Sequence, residues 1–185
     1  MKSFVLCLVS VVLLAMPALA EVSFQFTLPG LRNPDDPNVD GFRLSILHGK
    51  AENVTGFDLG IFSLSESAKR SGFGLVFGIA KNTSSSAGLS GAFINLHTGQ
   101  SSGLNMGFVN SVKTLKDGGA NLGMLNITEG FSAVDISGLA ISNESNVQVG
   151  MVNITEKINH IQIGLLNFAE NGFFPVFPLF NYPKK

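Results

Sequence analysis

The stretch Gly103-Leu-Asn-Met-Gly-Phe-Val-Asn110 recurs three times further along the chain with only small changes. Its other copies are Gly119-Ala-Asn-Leu-Gly-Met-Leu-Asn126, Asn146-Val-Gln-Val-Gly-Met-Val-Asn153 and His160-Ile-Gln-Ile-Gly-Leu-Leu-Asn167. The shared eight-residue pattern is any residue, apolar, polar, apolar, Gly, apolar, apolar, Asn. Such self-similarity is the sequence signature of repeat architectures, so this pattern decides the fold class.

Weaker copies extend the pattern towards the amino terminus and fill one gap, which brings the total to nine. The fifth position of the unit is Gly, Ala or Ser in all nine copies, and successive fifth positions are 13 to 18 residues apart. We therefore predict a β-repeat array over residues 41–172. The weaker copies are Gly41–His48, Gly56–Ser63, Gly74–Lys81, Gly88–Asn95 and Ala133–Ala140.

Each copy alternates with a period of two, which is typical of β-strands. Positions two, four and six are mostly large and apolar, whereas position three is polar in eight of the nine copies. The alternation predicts that the even positions, including many of the 16 Phe residues, face the core. It predicts that position three faces solvent. The polar segments between copies, such as residues 81–86, have the composition of turns.

Two architectures fit short strands at this spacing, and the Asn at position eight distinguishes them. In a parallel stack, Asn residues at the same end of every strand lie above one another and can form a hydrogen-bonded ladder. In an antiparallel meander they would alternate between the two edges of the sheet. We predict an all-β fold, a parallel β-solenoid of about nine short repeats, with an up-and-down β-barrel as the alternative. The Asn residues are Asn95, Asn110, Asn126, Asn153 and Asn167.

Position seven is apolar in every copy although strict alternation would direct it outward. Either the chain bends after the small fifth residue and position seven packs inward, or these residues form an outward apolar stripe that suits docking. The sequence leaves both possibilities open. The residues concerned include Leu47, Phe62, Ile94, Val109, Leu125, Val152 and Leu166.

The amino-terminal residues 1–20 have the pattern of a secretory signal peptide. Lys2 precedes an apolar run from Phe4 to Leu14, and Ala18 and Ala20 form a small-x-small cleavage site. Cleavage after Ala20 would remove the single cysteine, Cys7, and leave a chain without any thiol. We therefore expect an exported protein whose fold needs no disulfide.

The segments that flank the array differ from it in composition. Residues 21–40 predict an amino-terminal strand and loop, with an edge strand over Val22–Leu28. Residues 173–185 predict an apolar cap over the last coil, because Pro175 and Pro178 are incompatible with a central strand.

Composition excludes several classes of function. The 185 residues carry 12 Lys and Arg against 13 Asp and Glu, a net charge of −1, which does not suit nucleic-acid binding. A single cysteine excludes a disulfide scaffold and a multi-cysteine zinc site.

Residues with catalytic or metal-binding chemistry are scattered along the chain. His48, His97 and His160 lie far apart, none has a partner at metal-ligand spacing, and we interpret them as surface residues. Asp35, Asp36 and Asp40 lie among Pro and Gly and are interpreted as turn residues. We predict no catalytic, cofactor-binding or metal-binding residues and no small-molecule substrate, and hence a protein that is not an enzyme.

Three carboxy-terminal features carry a resemblance to a known family. They are the Gly-Leu-Leu-Asn of Gly164–Asn167, the Pro-x-x-Pro of Pro175–Pro178 and the pair Asn181-Tyr182. The run Gly103–Asn181 resembles the exported bacterial surface-repeat-containing proteins, and the resemblance weakens before residue 87. It implies export and a repeat fold, and it transfers no catalytic residues.

The sequence thus predicts a non-enzymatic exported β-repeat protein of the Gram-negative cell envelope. It would lie in the periplasm or at the outer membrane or cell surface and act as a structural or protein-interaction module. The expected partner is another envelope protein or the outer membrane surface, bound through a sheet face. The alternative is a small outer-membrane β-barrel protein.

Overall fold

The computed structural model describes residues 22–115 and 119–184, and the predicted signal peptide lies outside the described residues. The described residues form five β-elements and no helix. Their order within the sheet is β2-β1-β3-β4-β5. The elements are β1 (Phe24–Leu28), β2 (Leu31–Asn33), β3 (Asn38–Leu115), β4 (Ala120–Ala169) and β5 (Val176–Asn181).

β3 and β4 are continuous extended segments of 78 and 50 residues that wind into successive coils. The end of β3 pairs in parallel with the start of β4 at a constant offset, so that Leu104 lies beside Ala120 and Asn110 beside Asn126. Parallel neighbours at a fixed offset are the product of coiling, and an up-and-down meander cannot produce them. The parallel β-solenoid is therefore confirmed. Its number of turns differs slightly from the nine predicted coils.

The third repeat copy begins at Gly72, two residues before the predicted start at Gly74. A methyl group on Gly72 would lie 2.2 Å from the carbonyl oxygen of Gly56, and one on Gly88 would lie 2.1 Å from that of Gly72. These contacts place Gly56, Gly72 and Gly88 in one column. The fifth residue of this copy is thus Val76, so the prediction of a small residue at every fifth position is wrong here.

The predicted facing of the strands is wrong. Position three is buried and polar, with Arg43, Asn121 and Gln148 each 0% exposed, while outward residues such as Phe77 remain 49% exposed. Coiling explains the reversal, because stacked coils place each inward polar group one strand spacing, about 4.8 Å, from its equivalent. Neighbouring coils therefore satisfy each other's buried amides, and the apolar residues occupy the outer surface.

Additional strands cover both ends of the stack. β1 pairs in parallel with β3 and antiparallel with β2, so Val22–Leu28 does not form the edge strand that was predicted. The short β2 occupies the edge instead. At the other end β5, which contains Pro178, pairs antiparallel with the last coil of β4, where Phe180 lies opposite Ile163.

Candidate interaction face

One outer surface of the solenoid is covered by large apolar side chains, and we call it the apolar face. It is formed by repeat positions two, four and six, which alternate with the buried positions along each strand. Thirteen of its large side chains are 37–66% exposed. They are Phe57, Ile61, Phe73, Leu75, Phe77, Phe93, Met106, Phe108, Met124, Ile136, Met151, Ile163 and Leu165.

Aromatic side chains of successive coils stack on one another along the apolar face. Phe77, Phe93 and Phe108 form one column, with ring centroids 6.5 and 5.8 Å apart. A second column runs from Phe24 of β1 through Phe42 to Phe57, with centroids 5.7 and 5.4 Å apart and nearly parallel rings. These contacts hold the face as an ordered surface with the axial period of the coils.

The strand β5 extends the apolar face beyond the last coil. Phe180 lies opposite Ile163 in the antiparallel ladder and therefore projects to the same side of the sheet. The Phe180 ring lies 6.4 Å from the ring of Tyr182, which is 42% exposed. The face thus continues to the carboxy-terminal end of the described chain.

No residue at position two, four or six of the described repeats is charged or polar. Charged residues recur three positions beyond the position-eight Asn, after the chain has turned onto the adjacent face. They are Lys113, Glu129, Glu156 and Glu170, and all four are exposed. The solenoid is therefore amphipathic on its outside, with one uncharged face beside a charged one.

Position seven lies on the outside at the corner between these two faces. Leu47 and Phe62 are 58% and 78% exposed and have positive φ angles of 64° and 46°. Leu166 is 44% exposed. The remaining residues, Ile94, Val109, Leu125 and Val152, are half-buried. The outward stripe is thus the correct alternative. Ala80, the seventh residue of the copy predicted from Gly74, is the exception and is buried.

The interior is built from ladders of side-chain amides. Asn95 Nδ2 donates to Asn110 Oδ1 and Asn110 Nδ2 donates to Asn126 Oδ1, each at 2.8 Å. Asn153 donates to Asn167 at 2.8 Å in the same column, beyond a break at Ala140. The predicted position-eight ladder is therefore confirmed. A second ladder at position three was not predicted, and in it Asn105, Asn121, Gln148 and Gln162 contribute amides.

Charged groups are also buried in the amino-terminal half of the interior. The guanidinium of Arg43 donates to both carboxylate oxygens of Asp58, from Nε at 2.9 Å and from Nη2 at 2.7 Å. Arg70 is 4% exposed, and burial lowers the pKa of its guanidinium to about 10 although Asp58 acts to raise it. Arg43, Asp58 and Arg70 are all buried, so none of these charged groups is available at the surface.

The histidines are dispersed in space as well as in sequence. His97 is 2% exposed, so its prediction as a surface residue is wrong. Its Nδ1 contacts Asn82 at 3.2 Å and Ser86 at 3.0 Å, and burial, with a smaller effect of Arg70, lowers the imidazole pKa to about 3. The ring is therefore neutral near pH 7 and serves as a hydrogen-bonding member of the interior.

The other candidate residues lie near the surface. His160 is exposed and half-buried His48 contacts Glu66 at 3.2 Å. Asp35 accepts a hydrogen bond from Arg32, and Asp36 accepts one from the Asn38 backbone, as turn residues do. Within residues 22–115 and 119–184, no three His, Cys, Asp or Glu side chains are grouped to hold a metal ion.

Asp135 interrupts the position-three ladder with a carboxyl group, and we expect Asp135→Asn to stabilise the protein. Burial raises the pKa of Asp135, and the hydrogen bond from Asn121 at 2.9 Å only partly offsets this effect. A raised pKa in the folded state means that ionisation at higher pH costs stability. The variant should be about 1 kcal/mol more stable than wild type at pH 7, since it replaces a buried carboxylate that has one unpaired oxygen with an uncharged amide.

Because the effect arises from the ionisation of Asp135, it depends on pH. The advantage of Asp135→Asn should shrink as the pH falls from 7 towards 4, where wild-type Asp135 takes up a proton. Urea denaturation at the two pH values measures both quantities. An Asp135→Asn variant that is less stable than wild type at pH 7 would show that the carboxylate is stabilised by its site.

Comparisons with protein-family models, with curated proteins and with solved structures return no match to this chain. The described residues also contain no helix that is long and apolar enough to cross a membrane. The resemblance to surface-repeat-containing proteins therefore stays a prediction from the sequence.

Proposed function

We propose that this protein is a non-enzymatic exported β-repeat protein of the bacterial cell envelope. It acts as a structural or protein-interaction module, and the apolar face is the surface through which it binds. The observation that carries the proposal is a distribution of polarity opposite to that of most soluble domains, with polar residues inside and apolar residues outside. Most of the buried residues are polar and many are hydrogen-bonded amides, whereas one outer face is apolar and uncharged.

The size of the apolar face supports a binding role. Copies two to nine, stacked at about 4.8 Å per coil, extend the face to roughly 35 Å, and six extended residues make it about 20 Å wide. The resulting area is on the order of 700 Å², larger than the patch of roughly 300–600 Å² that a typical soluble monomer exposes. Exposure of this face to water is unfavourable, so a partner that covers it would stabilise the protein.

Export and an envelope location are supported by the amino-terminal sequence. Residues 1–20 have the charge, apolar run and cleavage site of a signal peptide. The amide ladders hold the coils together without disulfides, so the fold is compatible with an oxidising compartment. We propose the periplasm or the outer membrane or cell surface of a Gram-negative bacterium.

Charge placed on the apolar face should weaken binding and leave the protein folded. The double substitution Met124→Lys/Met151→Lys alters two side chains that are 66% and 60% exposed, so it should leave the fold intact. After export from a Gram-negative host, we expect at least a several-fold loss of the protein from the envelope fraction. Cell fractionation measures the location, and circular dichroism checks the fold.

The matched control adds the same charge to the polar faces of the solenoid. Ser85→Lys/Asn143→Lys also changes two exposed residues, and it should remain in the envelope fraction as wild type does. Equal fractionation of wild type and both folded variants would rule out the apolar face as the binding surface.

A further inference from the structure

We propose that the occupant of the apolar face is a second copy of this chain, so that two solenoids pack face to face as a symmetric dimer. This inference rests on the proposed function, because it names the partner of the same surface. It is carried by three properties of the face: its axial period, its area and its lack of charge.

The first argument is the match of spacing between two identical faces. The Phe77–Phe93–Phe108 column at position six has one ring in each coil, and the position-two and position-four residues beside it also recur once per coil. A second copy presents the same period, so the side-chain ridges of one face can fit between those of the other along the whole stack. In a two-fold symmetric dimer the same patch is used by both partners. A different protein whose surface residues repeated at another spacing would fall out of register within a few coils.

The second argument is area. A stable protein–protein interface buries about 800 Å² on each partner. The apolar face offers roughly 700 Å² across copies two to nine, and Phe180 and Tyr182 of the carboxy-terminal segment extend it. Sheets packed face to face lie about 10 Å apart, a distance that Phe, Met and Leu side chains from the two faces can fill.

The third argument is charge, which favours a protein over a membrane surface. Segments that bind lipid headgroups combine apolar residues with Lys or Arg, often with Trp at the interface. The apolar face carries no basic residue, the chain contains no Trp, and its net charge is −1. An anionic bilayer would therefore gain no electrostatic attraction here, whereas two uncharged faces associate without repulsion.

The charged neighbouring face explains why assembly would end at two copies. Lys113, Glu129, Glu156 and Glu170 are exposed on it, so it offers no second apolar surface for a third copy. Strands β2 and β5 cover the two ends of the stack. An isologous contact on a single face is closed by its own symmetry.

Sedimentation equilibrium of the protein purified after export tests the proposal over a hundredfold range of concentration. Mass spectrometry of the same sample establishes whether residues 1–20 have been removed. We expect wild type to sediment with twice the mass of its chain. Met124→Lys/Met151→Lys should weaken dimerisation by about 30-fold or more, because it forces charges into the interface. The control Ser85→Lys/Asn143→Lys should dimerise as wild type does.

Each result that would contradict the proposed dimer can be recognised separately. A wild-type protein that is monomeric at every concentration overturns the dimer, and so does a Met124→Lys/Met151→Lys variant that dimerises with unchanged affinity. A monomer that floats with vesicles of anionic phospholipid overturns it in favour of a lipid partner. If wild type is monomeric but the lysine variant still leaves the envelope fraction, the proposed function stands and the second copy does not.

Discussion

Gly88→Ala is expected to destabilise the protein strongly. Gly88 has a φ of +93°, a conformation that is costly for any residue with a side chain. An added methyl group would also lie 2.1 Å from the carbonyl oxygen of Gly72 and 2.9 Å from its carbonyl carbon. Both atoms belong to the backbone of the coil below, so neither can move without separating the two coils.

The expected cost is about 3 kcal/mol or more. Strained backbone contributes about 1–3 kcal/mol and overpacking a similar amount, against a total stability of about 5–15 kcal/mol for a typical domain. Urea denaturation followed by circular dichroism measures the loss, and the yield of soluble protein gives a second readout if the variant fails to fold.

Gly91→Ala is the matched control, since it lies only three residues away on the outer side of the same coil. The nearest atom to an added methyl group is Leu75 Cδ1 at 3.4 Å, which is ordinary contact with a flexible side chain. Its stability should remain within about 0.5 kcal/mol of wild type. Equal stability of the two variants would show that the close contact between the backbones of Gly72 and Gly88 does not set the distance between the coils.

Asn110→Leu should cause the second large loss, because Asn110 is the central member of the position-eight ladder. The substitution removes the acceptor for Asn95 at 2.8 Å and the donor to Asn126 at 2.8 Å. It also removes the donor to the Leu122 carbonyl oxygen at 2.9 Å. Leucine has the same branched arrangement of heavy atoms as asparagine, with bulkier methyl groups, but offers no hydrogen bond. Each buried group that loses its partner costs about 1–3 kcal/mol.

We therefore expect Asn110→Leu to lower the free energy of unfolding by about 3–5 kcal/mol, measured by urea denaturation. Asn143→Leu makes the same chemical change at an exposed asparagine and should alter stability by about 0.5 kcal/mol or less. If the two variants are equally stable, burial of apolar groups holds the coils together and the amide ladder contributes little.

The fold class could be predicted from the sequence because one observation distinguishes parallel from antiparallel stacking. Asn110 and Asn126 recur at the same end of successive strands, and their amides meet in the structure as a parallel stack requires. The third copy was misplaced because Gly72 and Gly74 both fit the first position of the unit. Only the contact between stacked backbones at Gly56 and Gly72 identifies the correct one.

The apolar face could not be predicted because alternation alone does not say which side of a strand is inside. We assigned the apolar side to the core, as burial of apolar area requires in most domains. The Asn ladder did not resolve this, because strict alternation places Asn110 on the same side as Met106 and Phe108. In the structure Asn110 is buried while Met106 and Phe108 are exposed, so the alternation is interrupted between positions six and eight. That interruption is not visible in the alternating pattern itself.

The polar interior has a consequence for how the protein responds to temperature. The heat capacity of unfolding rises when apolar surface is hydrated and falls when polar surface is hydrated. Much of the apolar surface of a single solenoid already contacts water, whereas unfolding newly exposes the amides of Asn, Gln and Ser. The heat-capacity increment per residue of an isolated chain would therefore lie below the usual value of about 12–15 cal/mol/K. Its stability curve would be flat, and cooling would weaken it less than it weakens a protein held together by an apolar core.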